Sequence, residues 1–233
     1  MKKWVVFLLF GLLGILDIFF YYRFMESEWR APNRSAVGIV IVLNGPSAAG
    51  KSSIQRAFQR LMMPQLWIKL GIDSLFDGPM PDIDASNLAY WQATNPIRWV
   101  QTTSDAHGNT VVTLHVGVLG QRVVSGMNAA IAAYAKAGNC VIVDYIAYEK
   151  KWIDDLRAQL RDLPSLWVKV DVPLAVLEER ETARGTSPKG HARSHYDQVH
   201  WDVQYDLVLD GGKLDPAAAA VRIKEAVQAK AAR

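Results

Sequence analysis

Along most of this chain, short apolar runs of strand length alternate with longer segments whose apolar residues recur at helical spacing. Ile39–Leu43 is continuously apolar, the signature of a parallel strand covered on both faces. Leu66–Leu70, Val141–Asp144, Leu166–Val170 and the short Leu207–Leu209 repeat that pattern. Helical periodicity fills the gaps at Ser53–Leu61, Val123–Ala135, Trp152–Leu160, Leu174–Arg184 and the alanine-rich Pro216–Ala232, with Gly138 placed to end the second of these. Trp99–Thr103 and Thr110–Val116 are β-rich and flank Gly108-Asn109, which predicts a hairpin. Strands separated by helices predict a three-layer α/β fold with a mainly parallel, doubly wound sheet.

The first residues break this alternation. Trp4–Tyr22 is apolar over a length that suits a membrane span of about 20 residues, with Lys2 and Lys3 before it and Arg23 after it. Trp4, Tyr21 and Tyr22 stand where interfacial aromatics belong, and Asp17 is its one acid. Residues 1–23 are therefore expected to form an apolar helix that anchors the chain, residues 24–37 a polar linker, and residues 38–233 the folded domain. Two other readings stay open: a signal peptide, against which no A-x-A site follows, and a true start at Met25. On the anchor reading the folded domain is expected on the cytoplasmic side, tethered to the inner membrane by residues 4–22.

Composition narrows the field. Of 233 residues, 50% are apolar, enough for a sizeable core. A net charge of +3 without a long basic run argues against a nucleic-acid partner. The single cysteine, Cys140, excludes a disulfide framework and reads as a small buried hydrophobe within a strand.

The chemistry is concentrated behind the first strand. Gly45-Pro46-Ser47-Ala48-Ala49-Gly50-Lys51-Ser52, followed by Ser53, fits the phosphate-cradling pattern G-x-x-x-x-G-K-[ST] at every fixed position, with a strand before it and a helix after it. The glycines let successive amides converge on one anion at a helix N-terminus. Lys51 is expected to reach the β- and γ-phosphates of a nucleoside triphosphate, and the Ser52 hydroxyl to ligate Mg²⁺.

Two acids stand at the carboxyl edge of predicted strands, where ligands bind in such sheets. Asp144 ends Cys140-Val141-Ile142-Val143 and is a second Mg²⁺ candidate, with a turn or cap role as the plainer alternative. Asp73, in Gly71-Ile72-Asp73-Ser74, is equally a helix cap or the base that takes a proton from an attacking hydroxyl. Asp77 and Asp82 are less well placed.

Arg180 and Arg184 lie four apart on one predicted helix that runs into Gly185-Thr186-Ser187-Pro188-Lys189-Gly190. Beside a phosphate loop this suits a lid whose arginines meet phosphoryl oxygens; on its own it reads as a solvated face paired with Glu178 and Glu181. His191 and His195 share that spacing but lack an obvious third metal ligand, and His200 has no assigned chemistry. Met80, Tyr90, Trp91 and Trp99 fill the segment where an acceptor would sit, with core packing the equal alternative.

Several segments together resemble the chloramphenicol phosphotransferase-like branch of the P-loop kinases. They are Leu43-Asn44-Gly45 with the loop through Ser52, Gly71-Ile72-Asp73-Ser74, Val141–Asp144, Glu181-Thr182-Ala183-Arg184-Gly185, Val199-His200 and Tyr205–Asp210. The resemblance implies a nucleotide-kinase sheet and ATP- and Mg²⁺-dependent phosphorylation of a hydroxyl on a small molecule. It implies Asp73 as general base and Arg184 as the lid arginine. The family's second lid arginine is missing after Gly185, with Lys189 or Arg193 as the candidate substitute, and Phe76–Gln121 matches only loosely. Two alternatives remain beside this reading: a kinase of another metabolite, and a nucleotide-binding switch that transfers nothing, although no N-K-x-D segment is present to read guanine.

Overall fold

The computed structural model describes residues 37–82, 84–91 and 97–231 of the chain. The expected anchor at residues 1–23, and the linker up to residue 36, lie outside the described residues. Among the described residues, no helix is long and apolar enough to cross a membrane.

Five strands form the central sheet: β1 (Val40–Asn44), β2 (Trp67–Gly71), β5 (Cys140–Tyr145), β6 (Ser165–Asp171) and β7 (Leu207–Asp210). Their order is β2-β5-β1-β6-β7, and every neighbouring pair is parallel. Two further strands, β3 (Arg98–Ser104) and β4 (Thr110–Val116), make a separate antiparallel hairpin in which Trp99 pairs with His115 and Val100 with Leu114. The helices are α1 (Lys51–Met62), α2 (Leu88–Trp91), α3 (Val118–Lys136), α4 (Lys150–Gln159), α5 (Leu174–Arg184), α6 (His191–His195) and α7 (Pro216–Ala231).

Every residue of β1 is buried because helices cover both faces of the sheet. Its side chains alternate: Val40 and Val42 pack with Ile131 of α3 and with Ile153 and Leu156 of α4, whereas Ile41 and Leu43 pack with Ile54 and Phe58 of α1 and Ile223 of α7. Phe58 meets Trp67 edge to face, with ring centroids 4.9 Å apart. The buried amide of Gln55 reaches off α1 to the carbonyls of Leu70 (2.8 Å) and Ile142 (2.9 Å), fixing that helix against β2 and β5.

This arrangement places the site. β1 lies between β5 and β6, so the crevice beyond its carboxyl end is where the connections diverge to the two sides of the sheet. Gly71 ends β2 opposite Asp144 in register, and a Cβ there would come 2.8 Å from the Asp144 carbonyl oxygen. Glycine is thus what lets the Gly71-Ile72-Asp73-Ser74 segment run close beside the acid that ends the neighbouring strand.

Differences from the pattern-based elements are local. α3 begins at Val118 rather than Val123, and a π-helical turn spans Asp73–Asp77. Cys140 is half-buried, with its sulfur 3.8 Å from the Gln65 amide nitrogen, because the start of β5 lies at the rim of the core.

Candidate active site

The loop after β1 turns back on itself through Ala48, a non-glycine residue at φ 61°, and Gly50, at φ 89°. Such a backbone makes a concave row of amides. The amides of Ala48, Gly50, Lys51 and Ser52 have no hydrogen-bond partner among the described residues. Unpaired donors at a helix start carry partial positive charge and form an anion seat. The Ser53 amide instead bonds the Gly50 carbonyl (3.0 Å), and its hydroxyl accepts from Arg56 (3.1 Å). The Ser47 amide is also engaged, as a donor to Nε2 of His195 at 3.0 Å.

Lys51 is buried, and its ammonium donates to the carbonyls of Gly45 (2.9 Å) and Pro46 (2.7 Å) while lying 3.5 Å from Asp144. Burial pulls its pKa down, and the Asp144 carboxylate pulls it back up. The Ser52 hydroxyl donates to Asp144 at 2.5 Å, so hydroxyl, carboxylate and ammonium converge at the ends of β1 and β5.

A cavity of about 940 Å³ opens over this group. Ser47 through Ser53 line one side of it, while Gly45 and Pro46 lie behind the lining. Asp73 and Asp77 line it from the π-helical turn, Asp144 from β5, Arg180 and Arg184 from α5. The inner face of the hairpin supplies Arg98, Val100, Val112 and Leu114. Asp73 is exposed within this cavity, and its charge acts on both Lys51 and Asp77. Asp77 pairs with Arg98 at 2.5 Å; burial raises its pKa, Arg98 opposes the rise, and Asp73 adds to it. A second cavity of about 230 Å³ lies on the other side of Arg180, between Ala49, Ile54, Leu209 and Pro216.

The two arginines are not paired with the glutamates beside them. Arg184 donates to Ser187 (2.6 Å) and approaches the Ser47 hydroxyl (3.4 Å), while Arg180 donates to the Gly211 carbonyl (2.9 Å). Glu178 instead holds Arg193, and Glu181, 1% exposed, accepts from the amides of Gly190 and Ala192, both at 2.8 Å. Arg193 also bonds Asp105 in the hairpin turn, so it is committed to joining α5, α6 and that turn. Lys189 does not line the cavity.

The three C-terminal histidines are engaged in hydrogen bonds within the fold, and among the described residues no cluster of three or more His, Cys, Asp or Glu could hold a metal ion. Both nitrogens of His191 are engaged, by the Val112 carbonyl (3.1 Å) and the Tyr148 hydroxyl (3.0 Å). His200 bonds the Tyr205 hydroxyl (2.8 Å), which in turn accepts from Asn44 at the end of β1 (2.8 Å). Of the aromatic candidates, Trp99 stacks on His115 on the outer face of the hairpin, and Met80 packs against the core. Asp82 stays outside the cavity, and the side chains of Tyr90 and Trp91 lie outside the description. Sequence reasoning missed Arg98, Tyr148 and His195; only the i,i+4 histidine spacing hinted at the last.

The chain matches the chloramphenicol phosphotransferase-like family over residues 38–228. It belongs to that family. A Mycobacterium tuberculosis protein named "Putative O-phosphotransferase", in strains CDC 1551 and H37Rv, is 30% identical over 174 residues, which cover 74% of this chain and 75% of the relative. Among solved structures, the M. tuberculosis APS kinase CysC in complex with AMPPNP and APS superposes with a TM-score of 0.53 at 16% identity, covering 83% of this chain and 99% of that one. A sugar kinase from Janibacter sp. gives a TM-score of 0.51 at 16% identity, covering 82% and 95%. At such identities these two speak for the fold, that of the P-loop kinases. Like its family, the chain is an enzyme, a phosphotransferase with an alcohol group as acceptor.

Proposed function

We propose that this family member moves the terminal phosphoryl group of ATP onto a hydroxyl of a small molecule, in the manner of a chloramphenicol 3-O-phosphotransferase. The observation that carries the reading is a single cavity bounded by the phosphate loop on one side and by the Asp73 carboxylate on the other. The donor set fits the groups it would hold. The free amides of Ala48, Gly50, Lys51 and Ser52 suit phosphate oxygens, and the Ser52 hydroxyl beside the Asp144 carboxylate suits a hard cation. Mg²⁺ held there would neutralise charge on the phosphates and orient them.

Asp73 accepts the proton of the acceptor hydroxyl as that oxygen bonds to the terminal phosphorus and the bond to ADP breaks. Lys51 turns from the Gly45 and Pro46 carbonyls toward the phosphates. Arg184 spreads charge on the transferring group, where a planar guanidinium serves better than a point charge. The smaller cavity beside Arg180 suits the base of ATP, with Ile54, Leu209 and Pro216 as apolar walls. On the acceptor side, Val100 and Leu114 offer an apolar wall, and the Asp77–Arg98 pair offers both a hydrogen-bond acceptor and donors. This reading places the reaction in the ATP-containing cytoplasm, with residues 4–22 as a tether.

The test is to incubate the protein with ATP, Mg²⁺ and a panel of hydroxyl compounds that includes chloramphenicol, and to read products by mass spectrometry. Product from chloramphenicol supports the whole reading. Product from another compound alone moves the acceptor and keeps the kinase. Bound ATP with no product from a broad panel contradicts it.

A further inference from the structure

Residues 191–205 grip the phosphate loop at two points on either side of Gly45-Pro46. Upstream, the side-chain Nδ2 of Asn44 donates to the Val199 carbonyl and the Tyr205 hydroxyl, both at 2.8 Å. Downstream, the Ser47 amide donates to His195 Nε2 at 3.0 Å. His195 is 4% exposed, so the bond lies away from bulk solvent.

The histidine is itself held from every side. Its Nδ1 lies 3.2 Å from the Ser194 hydroxyl, which donates to the His191 carbonyl (2.7 Å). That fixes the proton on Nδ1 and leaves Nε2 as an acceptor. Its ring packs on Tyr148 and on His191, each with centroids 4.9 Å apart. The short α6 that carries it is capped by the buried Glu181 carboxylate and tied to the hairpin through Val112 and Gly190. Gly190 sits at φ 92°, and a Cβ there would fall 2.2 Å from the Thr110 carbonyl oxygen, so the hairpin can dock only on glycine. The charged and titratable groups facing the ring are His191 from α6 and Lys51 from α1, with Tyr148 beside it from the segment after β5.

We propose that His195 is a positioning residue for the donor nucleotide: its Nε2 withdraws the Ser47 amide from phosphate binding and locks the start of the loop in the shape that presents the remaining amides. The proposal rests on the ATP-binding reading of the loop. It differs from a general packing role in that only the acceptor atom at the Nε2 position matters. Glutamine puts its Oε1 near that position; asparagine puts its Oδ1 near Nδ1; leucine offers no acceptor.

The test is calorimetric titration of wild type, His195→Gln, His195→Asn and His195→Leu with AMPPNP and Mg²⁺, with thermal melts run in parallel. No acceptor is needed, so the result is independent of the acceptor's identity. Wild type and His195→Gln are expected to bind alike. His195→Asn and His195→Leu should bind on the order of tenfold more weakly, because a buried amide is orphaned and the loop relaxes. In turnover assays the loss should appear in KM for ATP and not in KM for the acceptor. Equal binding by the asparagine and glutamine variants, both folded, overturns the proposal, as does tighter binding by His195→Leu, which would mean that the freed Ser47 amide serves phosphate. A folded wild type that binds no nucleotide overturns the reading on which the proposal stands, and the proposal with it.

Discussion

Glu181→Gln tests what holds the start of α6 in place. The carboxylate is 1% exposed, has no cation partner among the described residues, and divides its two oxygens between the Gly190 and Ala192 amides at 2.8 Å. Glutamine matches it in size but has only one acceptor oxygen. One amide keeps its bond, and the other faces an NH₂ group, donor against donor. Orphaning a buried donor costs roughly 1–3 kcal/mol, toward the upper end where a charged acceptor is lost. A domain of this size shifts in Tm by about 2–4 °C per kcal/mol, so a fall of about 4–12 °C is expected. The assay is a calorimetric melt of both proteins in the same buffer, with far-UV circular dichroism confirming the fold. Because α6 also carries His195, the variant should lose nucleotide affinity before it melts. A Tm within about 1 °C of wild type would refute the reasoning, since it would mean that the two amides do not depend on this carboxylate.

Gly190→Ala should destabilise the domain by more than about 1 kcal/mol, since it adds a left-handed penalty to a 2.2 Å approach to Thr110, and a denaturant titration reads it directly. Acidification should also destabilise the fold. His191, His195 and His200 all titrate below the usual histidine value, chiefly through burial, with His200 lowered to about 4. The unfolded chain therefore takes up protons at about 6.5 that the folded chain refuses, and stability is lost as pH falls from about 6.5 toward 4. A Tm that stays flat from pH 7 to pH 5 would contradict that sign.

The sheet was legible because its strands are buried on both faces, which leaves uninterrupted apolar runs such as Val40–Leu43 and Val141–Val143. The phosphate loop was legible because its chemistry is local in sequence. The hairpin side of the cavity was not. Arg98, Val100 and Leu114 read only as alternate residues of a hairpin, and nothing in their spacing says that this face turns inward to line the same cavity as Asp73. The charge partners on α5 were not legible either. Proximity along one helix left pairing of Glu178 and Glu181 with Arg180 and Arg184 only as the plainer alternative, and both acids are instead taken by groups in the Gly190–Arg193 segment, 9 to 15 residues away in the chain. His195 was visible as half of an i,i+4 pair, but its partner is a backbone amide 148 residues distant.

The central claim is that Asp73 removes the proton from the acceptor hydroxyl while the loop after β1 holds ATP. The most direct measurement compares Asp73→Asn with wild type in two readouts on the same preparations: AMPPNP affinity by calorimetry, and phosphorylated acceptor by mass spectrometry at saturating ATP. The account predicts nucleotide affinity within about twofold of wild type and turnover lower by about 10²–10⁴-fold, the usual contribution of a positioned base. Wild-type turnover in Asp73→Asn would contradict it.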